Sequence, residues 1–154
     1  MTEQTIISAL GDLVLATGES HGMPVLAAAP DNVLPLVTRL KDDFGFGLFL
    51  DVTAIDHPAR SPRFDVVYHF YSRTRNQRIR LKVQVPGDLP RVPTLTGLYG
   101  SARFMEREAH DMYGIDFAGN ADLRPILLYE GFVGHPLRKD YPMEMEQPIV
   151  PYRT

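Results

Sequence analysis

Eight residues near the middle of the chain, Arg78 to Val85, alternate without interruption. Ile79, Leu81, Val83 and Val85 fall between Arg78, Arg80, Lys82 and Gln84. Successive strand side chains point to opposite faces, so this segment commits the fold to a sheet with one buried and one wet face. Phe64 to Tyr71 is aromatic and β-branched. Leu48 to Ile55 is apolar and β-branched and ends at the breaker Asp56-His57-Pro58. The linkers Ala59–Arg63 and Ser72–Gln77 have hairpin length, so three consecutive antiparallel strands are expected.

The segments on either side are read around that meander. Thr5–Leu10 is a short helix candidate. Leu13–Ala16 and Pro24–Ala29 are strand candidates joined by turn chemistry at Gly18–Gly22. Val33, Val37, Leu40 and Phe44 share one helical face, which predicts a helix at about 32–43. Asp31 is its expected N-cap, Pro35 is tolerated in the opening turn, and Gly45 is a natural C-terminal stop. Pro86–Pro93 reads as a proline-punctuated crossover, and Thr94 caps a short turn through Tyr99. Ser101 can cap a second helix at about 102–113 that Gly114 ends, and no regular element is expected beyond it. The order predicts a two-layer α+β fold, a mixed sheet with helices packed on one face, plus an extended irregular C-terminal tail. Residues 1–115 form the expected domain and residues 116–154 a segment that docks on a partner.

Composition narrows the function. A net charge of −3 and a pI near 5.9 argue against a nucleic-acid or anionic-membrane binder. No apolar run approaches the ~18 residues that span a bilayer. The start lacks the basic region of a signal peptide, so the cytoplasm is the default expectation. With no cysteine, a disulfide scaffold, a thiolate zinc site and a Cys-ligated iron–sulfur cluster on this chain are excluded. Of the 13 prolines, eight lie from Pro86 onward, so the second half is expected to contain much extended chain.

Between Arg103 and Pro142 the charged residues are dense and alternate with Phe, Met, Tyr, Ile and Leu. On the helix at 102–113, Met105, Ala109 and Met112 form an apolar stripe. Arg103, Glu106, Arg107, His110 and Asp111 occupy the rest, and Glu106–His110 and Arg107–Asp111 are i,i+4 neighbours that can pair. A metal site from Glu106 and His110 lacks further ligands at di-iron spacing. The five histidines (His21, His57, His69, His110 and His135) are scattered, and Phe44-Gly45-Phe46-Gly47 is no phosphate loop. The cluster Arg73, Arg75, Arg78, Arg80 and Lys82 reads as the wet face and turn of a hairpin that meets an acidic partner. In the stretch from His135 to Pro142, two prolines brace an extended path. Arg138 and Lys139 offer donors, Asp140 can order one of them, and Leu137 and Tyr141 are anchors. Such a tail suits folding against a neighbour.

These residues resemble a known family. Glu106-Arg107-Glu108, Asp111-Met112-Tyr113-Gly114-Ile115, Asp122-Leu123-Arg124, Ile126-Leu127 and Gly134-His135-Pro136-Leu137-Arg138-Lys139-Asp140-Tyr141-Pro142 are similar to the signature of the C-type subunit of NADH–quinone oxidoreductase, respiratory complex I. The resemblance implies a peripheral subunit of the hydrophilic arm, on the cytoplasmic side of the bacterial inner membrane, needed for assembly and stability. It implies no flavin, cluster or catalytic residue on this chain. Flavin, iron–sulfur clusters and quinone would belong to partners, chiefly the large quinone-site (D-type) subunit and adjacent iron–sulfur subunits. It also implies partner contacts by Arg103, Glu106, Arg107, Glu108, Asp111 and Tyr113 on the helix. In the tail it implies them for Asp122, Arg124, His135, Leu137, Arg138, Lys139, Asp140 and Tyr141. A homologous subunit of a membrane-bound hydrogenase, or of a photosynthetic or ferredoxin-using relative, is the alternative. The sequence departs from the family pattern at Asn120, Ala121 and Pro125, where His-Pro and a second Arg are usual, and at Phe132, where Trp is common. One charged partner contact is therefore expected to be missing or remade. From the short remainder after the signature, neither a long C-terminal extension nor fusion to the large subunit is expected.

Overall fold

The computed structural model describes residues 3–147. The tail residues Pro148, Ile149, Val150, Pro151 and Tyr152, expected to extend the contact surface, lie outside the described residues. The elements run α1 (Glu3–Leu10), β1 (Ala16–Ser20), β2 (Met23–Ala28), α2 (Val33–Asp42), β3 (Leu48–Asp56), β4 (Phe64–Ser72), β5 (Gln77–Val85), β6 (Arg91–Pro93), α3 (Ala102–Tyr113) and β7 (Asp116–Ala118). Five strands form one sheet in the order β1-β2-β5-β4-β3. The β3-β4-β5 meander is antiparallel throughout, as its hairpin-length linkers require. The β1–β2 hairpin joins it through parallel pairing of β2 with β5, which makes the sheet mixed.

The alternation in β5 sets the two layers. Leu81 lies between Tyr68 and Leu26, and Val83 between Val66 and Ala28, all on the buried face. Ile6 and Leu10 of α1, Val33, Leu36, Val37 and Leu40 of α2, and Ala102 and Ala109 of α3 close over that face in a single core. Each large aliphatic or aromatic side chain there contributes about 1.5–3 kcal/mol over exposure. The opposite face carries Val25, Arg80, His69 and Asp51, in that order across the strands.

Four local expectations need correction. The first strand begins at Ala16 rather than Leu13, and Gly18 belongs to it, paired with Val25; the turn is only His21-Gly22. This edge strand is largely exposed, so it leaves no hydrophobic alternation to read. A regular element does follow Gly114: β7 pairs in parallel with β6. Three-residue strands are too short to show periodicity. Asp31 does not cap α2. It sits in a 3-10 turn, Pro30–Asn32, and Asn32 instead donates its amide to the carbonyls of Asp12 and Leu13. Ser101 does not cap α3 with its side chain; its hydroxyl donates to the Phe49 carbonyl at 3.4 Å.

Candidate functional site

The charged helix α3 is built inward as much as outward. Glu106 is fully buried. One carboxylate oxygen accepts from the Leu95 N–H at 2.7 Å, and the other from the Thr94 hydroxyl at 2.6 Å and the Asn120 amide at 2.9 Å. Burial pushes its pKa up, and these three donors pull against that. Glu106 therefore knots together the turn after β6, α3 and the chain after β7. It does not pair with His110, whose Nδ1–H donates to the Ile115 carbonyl at 2.9 Å.

One turn on, Asp111 holds the tail. It is buried, and its Oδ2 accepts from the consecutive backbone N–H groups of Ile126, Leu127 and Leu128 at 2.8, 3.0 and 3.2 Å. Burial opposes ionisation, yet the backbone donors leave the pKa below the usual carboxylate range. Arg107 does not pair with Asp111. Its guanidinium donates to the carbonyls of Arg124 and Pro125 at 2.8 and 2.7 Å. Arg107 and Asp111 thus grip one loop by its carbonyls and by its N–H groups. Within that loop Asp122 pairs with Arg124 at 2.8 Å and also accepts its backbone N–H, and these bonds lower the Asp122 pKa.

The proline-braced segment folds onto the same helix. The Leu137 N–H donates to Met112, the His135 ring to Asp111 and the Arg138 side chain to Tyr113, each on a backbone carbonyl, at 3.1, 2.9 and 2.6 Å. These carbonyls at the end of α3 have no helical partner of their own. Gly114 makes the approach possible. It has φ +70°, and a Cβ there would lie 2.5 Å from His135 Nε2 and 2.6 Å from an Arg138 guanidinium nitrogen.

The far end of the segment closes on the sheet. Asp56, its side chain wholly buried, forms a bidentate pair with Arg63, both contacts at 2.7 Å. The Lys139 N–H donates to Asp56 at 2.7 Å, and Asp140 accepts from Arg63 at 2.9 Å. The guanidinium of Arg138 lies 5.2 Å over the Phe64 ring, with that of Arg63 at 5.0 Å. Hydrogen bonding from Arg63 holds the Asp56 pKa down despite burial, with Lys139 adding to it. Asp140, expected to order Arg138 or Lys139, pairs with Arg63 instead. Tyr141 stacks on Phe132 with ring centres 6.1 Å apart, and its hydroxyl accepts from Gln147.

The residues named from the sequence therefore divide. Glu106 and Asp111, expected at a partner surface, lie inside the chain with their carboxylates bonded there. Arg107, Tyr113, His135, Arg138 and Asp140 are bound within the chain as well, and Lys139 is bound through its backbone while its side chain stays exposed. Arg103 and Glu108 are exposed and form no ion pair among the described residues. Asn120 serves the interior, donating its amide to Glu106. Asp56, Arg63 and Thr94 belong to this frame, although the sequence marks Asp56 only as a breaker, Arg63 only as a linker residue and Thr94 only as a turn cap. Asp56 did carry a signal: it continues the inward parity of Val52 and Ala54, where a carboxylate needs a buried partner. Apolar side chains of the tail point out. Leu127 is 62% exposed, Leu137 49% and Met143 100%, and Ile126, Tyr129, Val133 and Met145 are also open to solvent. Among the described residues no group of His, Asp and Glu is placed to hold a metal ion, and no helix is long and apolar enough to cross a membrane.

An α+β domain whose charged helix clasps its own tail defines the structural class, and comparison gives the family. Residues 26–147 match the model of the respiratory-chain NADH dehydrogenase 30 Kd subunit. The chain belongs to this family. It is 48% identical over 137 residues to the C-type subunit of NADH-quinone oxidoreductase from Agrobacterium fabrum, covering 88% of this chain and 68% of that protein. It is 45% identical over 139 residues to the subunit of the same name from Novosphingobium aromaticivorans, covering 90% of this chain and 45% of that protein. The chain thus spans between about half and two thirds of these two relatives' length. A solved trypsin-resistant fragment of Nqo5 is 30% identical with a TM-score of 0.70, covering 79% of this chain and 98% of the fragment. A chain of the membrane-bound sulfane sulfur reductase, an archaeal respiratory membrane complex, shares the fold at a TM-score of 0.80 and 23% identity, covering 92% of this chain and 86% of that one.

Proposed function

We propose that this chain is a non-catalytic structural subunit in the hydrophilic arm of a proton-pumping NADH:quinone oxidoreductase. It supports electron transfer from NADH to quinone by fixing its neighbours. It sits peripherally on the cytoplasmic side of the bacterial inner membrane. Flavin, iron–sulfur clusters and quinone belong to partner subunits, and the main partner is the large quinone-site subunit, with iron–sulfur subunits adjacent. The observation that carries this proposal is how the tail is held: its backbone N–H groups and the Arg138 guanidinium are bonded by α3 and the β3–β4 corner, while Leu127, Val133, Leu137 and Met143 face outward. An exposed apolar surface on a polar, internally bonded frame suits a protein interface.

The test leaves the frame untouched. Leu127→Asp with Leu137→Asp, expressed in a host that assembles the complex, is expected to keep the unfolding midpoint of the purified chain while recovery of the assembled arm drops at least tenfold. Normal recovery of the arm would refute the tail as the interface. Pure chain with flavin absorbance or stoichiometric iron would refute the non-catalytic assignment.

A further inference from the structure

The helix-free face of the sheet holds a second feature that uses none of the tail residues. Between the β1–β2 turn and the β4–β5 turn lies an open depression of about 810 Å³, lined among others by Ser20, His21, Met23, Tyr71, Arg78 and Arg80. No carboxylate lines it among the described residues. Five other arginines, Arg39, Arg60, Arg63, Arg91 and Arg124, each pair with an aspartate, whereas Arg78 and Arg80 form no salt bridge among the described residues. Arg80 is nevertheless fixed in place. Its Nε–H donates to His69 Nε2 at 2.8 Å, and a terminal nitrogen reaches the Ser20 hydroxyl at 3.4 Å. Burial, then the charge of Arg80, lowers the His69 pKa, so this neighbour takes a hydrogen bond without neutralising the guanidinium. Tyr71 donates to the Asn76 carbonyl oxygen at 2.7 Å, which leaves the Asn76 amide N–H groups as donors at the rim. The depression thus offers a held but unneutralised positive charge in a chain whose net charge is −3.

The spacing selects the ligand. Arg78 and Arg80 are two residues apart on one strand, so their side chains leave the same face about 7 Å apart. An extended peptide places alternate side chains on the same repeat, and a guanidinium fork matches a carboxylate. None of the lining residues lies in a helix, so no helix N-terminus favours a phosphate here. Met23 and Leu50 add apolar wall for the stems of such a peptide. We infer that this depression is a docking site for an extended acidic segment of a neighbouring protein, with Asp or Glu at every second residue, read by Arg78 and Arg80.

The test uses the full chain and a fluorescent six-residue peptide of alternating Glu and Thr, titrated by anisotropy at low salt. The Gln-Thr counterpart is expected to bind at least tenfold more weakly. Arg78→Glu, at an exposed strand position, is expected to weaken the acidic peptide at least tenfold. Asn76→Asp, which keeps a residue type that tolerates the turn's positive φ, is expected to weaken it severalfold. Arg91→Gln, outside the depression, leaves binding unchanged. Equal affinity for the two peptides, no binding of the acidic peptide, or wild-type affinity in both folded site variants would overturn the proposal. Inorganic tripolyphosphate displacing the peptide at lower concentration than unlabelled peptide would reassign the site to phosphate.

Discussion

The five-stranded sheet and the tail solve the same folding problem with opposite polarity. In the sheet, apolar side chains turn inward and Arg78, Arg80 and Lys82 face the wet side. In the segment from Asp122 to Tyr141, backbone N–H groups and the Arg138 guanidinium turn inward, toward Asp111, Asp56 and the Tyr113 carbonyl, while Leu127, Val133 and Leu137 face out. The sheet's stability comes mainly from burying area, which is nondirectional. The tail's position comes from a few directed bonds with little apolar burial beneath them. A region held that way opens at lower cost than the core, so the two regions respond to different perturbations.

The largest separation is expected at the β3–β4 corner. Asp56→Ala leaves Arg63 mostly buried without its bidentate partner, an effect of about 3–5 kcal/mol. Because Asp56 belongs to both sheet and clasp, urea unfolding should show a lower midpoint for the whole domain, together with tail release. Next comes Asp111→Ala, which strands three backbone N–H groups and should weaken tail docking by about 1–3 kcal/mol. Here limited proteolysis between residues 126 and 147 should accelerate while β5 amides keep their exchange protection. Loss of β5 protection in this variant would merge the two regions into one cooperative unit.

Acid provides a third, reversible handle. The pKa values of Asp56 and Asp111 are lowered from the ordinary 3.8, so their stabilisation is complete above about pH 4 and is lost as pH falls through the lowered values. Tail proteolysis by an acid-active protease should therefore rise below about pH 4. Glu106 has the opposite sign. Its pKa is raised from 4.5, so its contribution weakens as pH climbs above that value, and Glu106→Gln should remove this part of the pH dependence. The smallest effect is expected from Lys139→Glu. Its ammonium is exposed and only its backbone N–H is bonded within the chain, so stability should change by less than about 0.5 kcal/mol, read as an unchanged melting curve.

The sheet was legible in the sequence because burying one face writes an alternation into β3, β4 and β5. The C-terminal end of α3 was legible because Gly114 takes a left-handed conformation that few other residues accept. The clasp left no periodic trace. Its partners are backbone carbonyls and N–H groups, which any sequence supplies, and its corner joins Asp56 to Lys139, 83 residues later. Thus Glu106 and Asp111 read as partner-facing residues with i,i+4 pairs available to them when both are interior, and Arg63 read as a linker residue. The motif marked the correct region, but spacing alone could not say which of its charges look inward.

That separation of 83 residues has a consequence for synthesis. Ribosomes add about 5–20 residues per second, so Asp56 waits at least ~4 s after it is made before Lys139 exists. Until the tail is made, the β3–β4 corner, and α3 once it has been added, have no partner for their tail-binding groups. Translation speed between codons 56 and 139 therefore sets how long a nascent domain stays unclasped, and synonymous codon choice there becomes a lever on assembly that no amino-acid substitution touches.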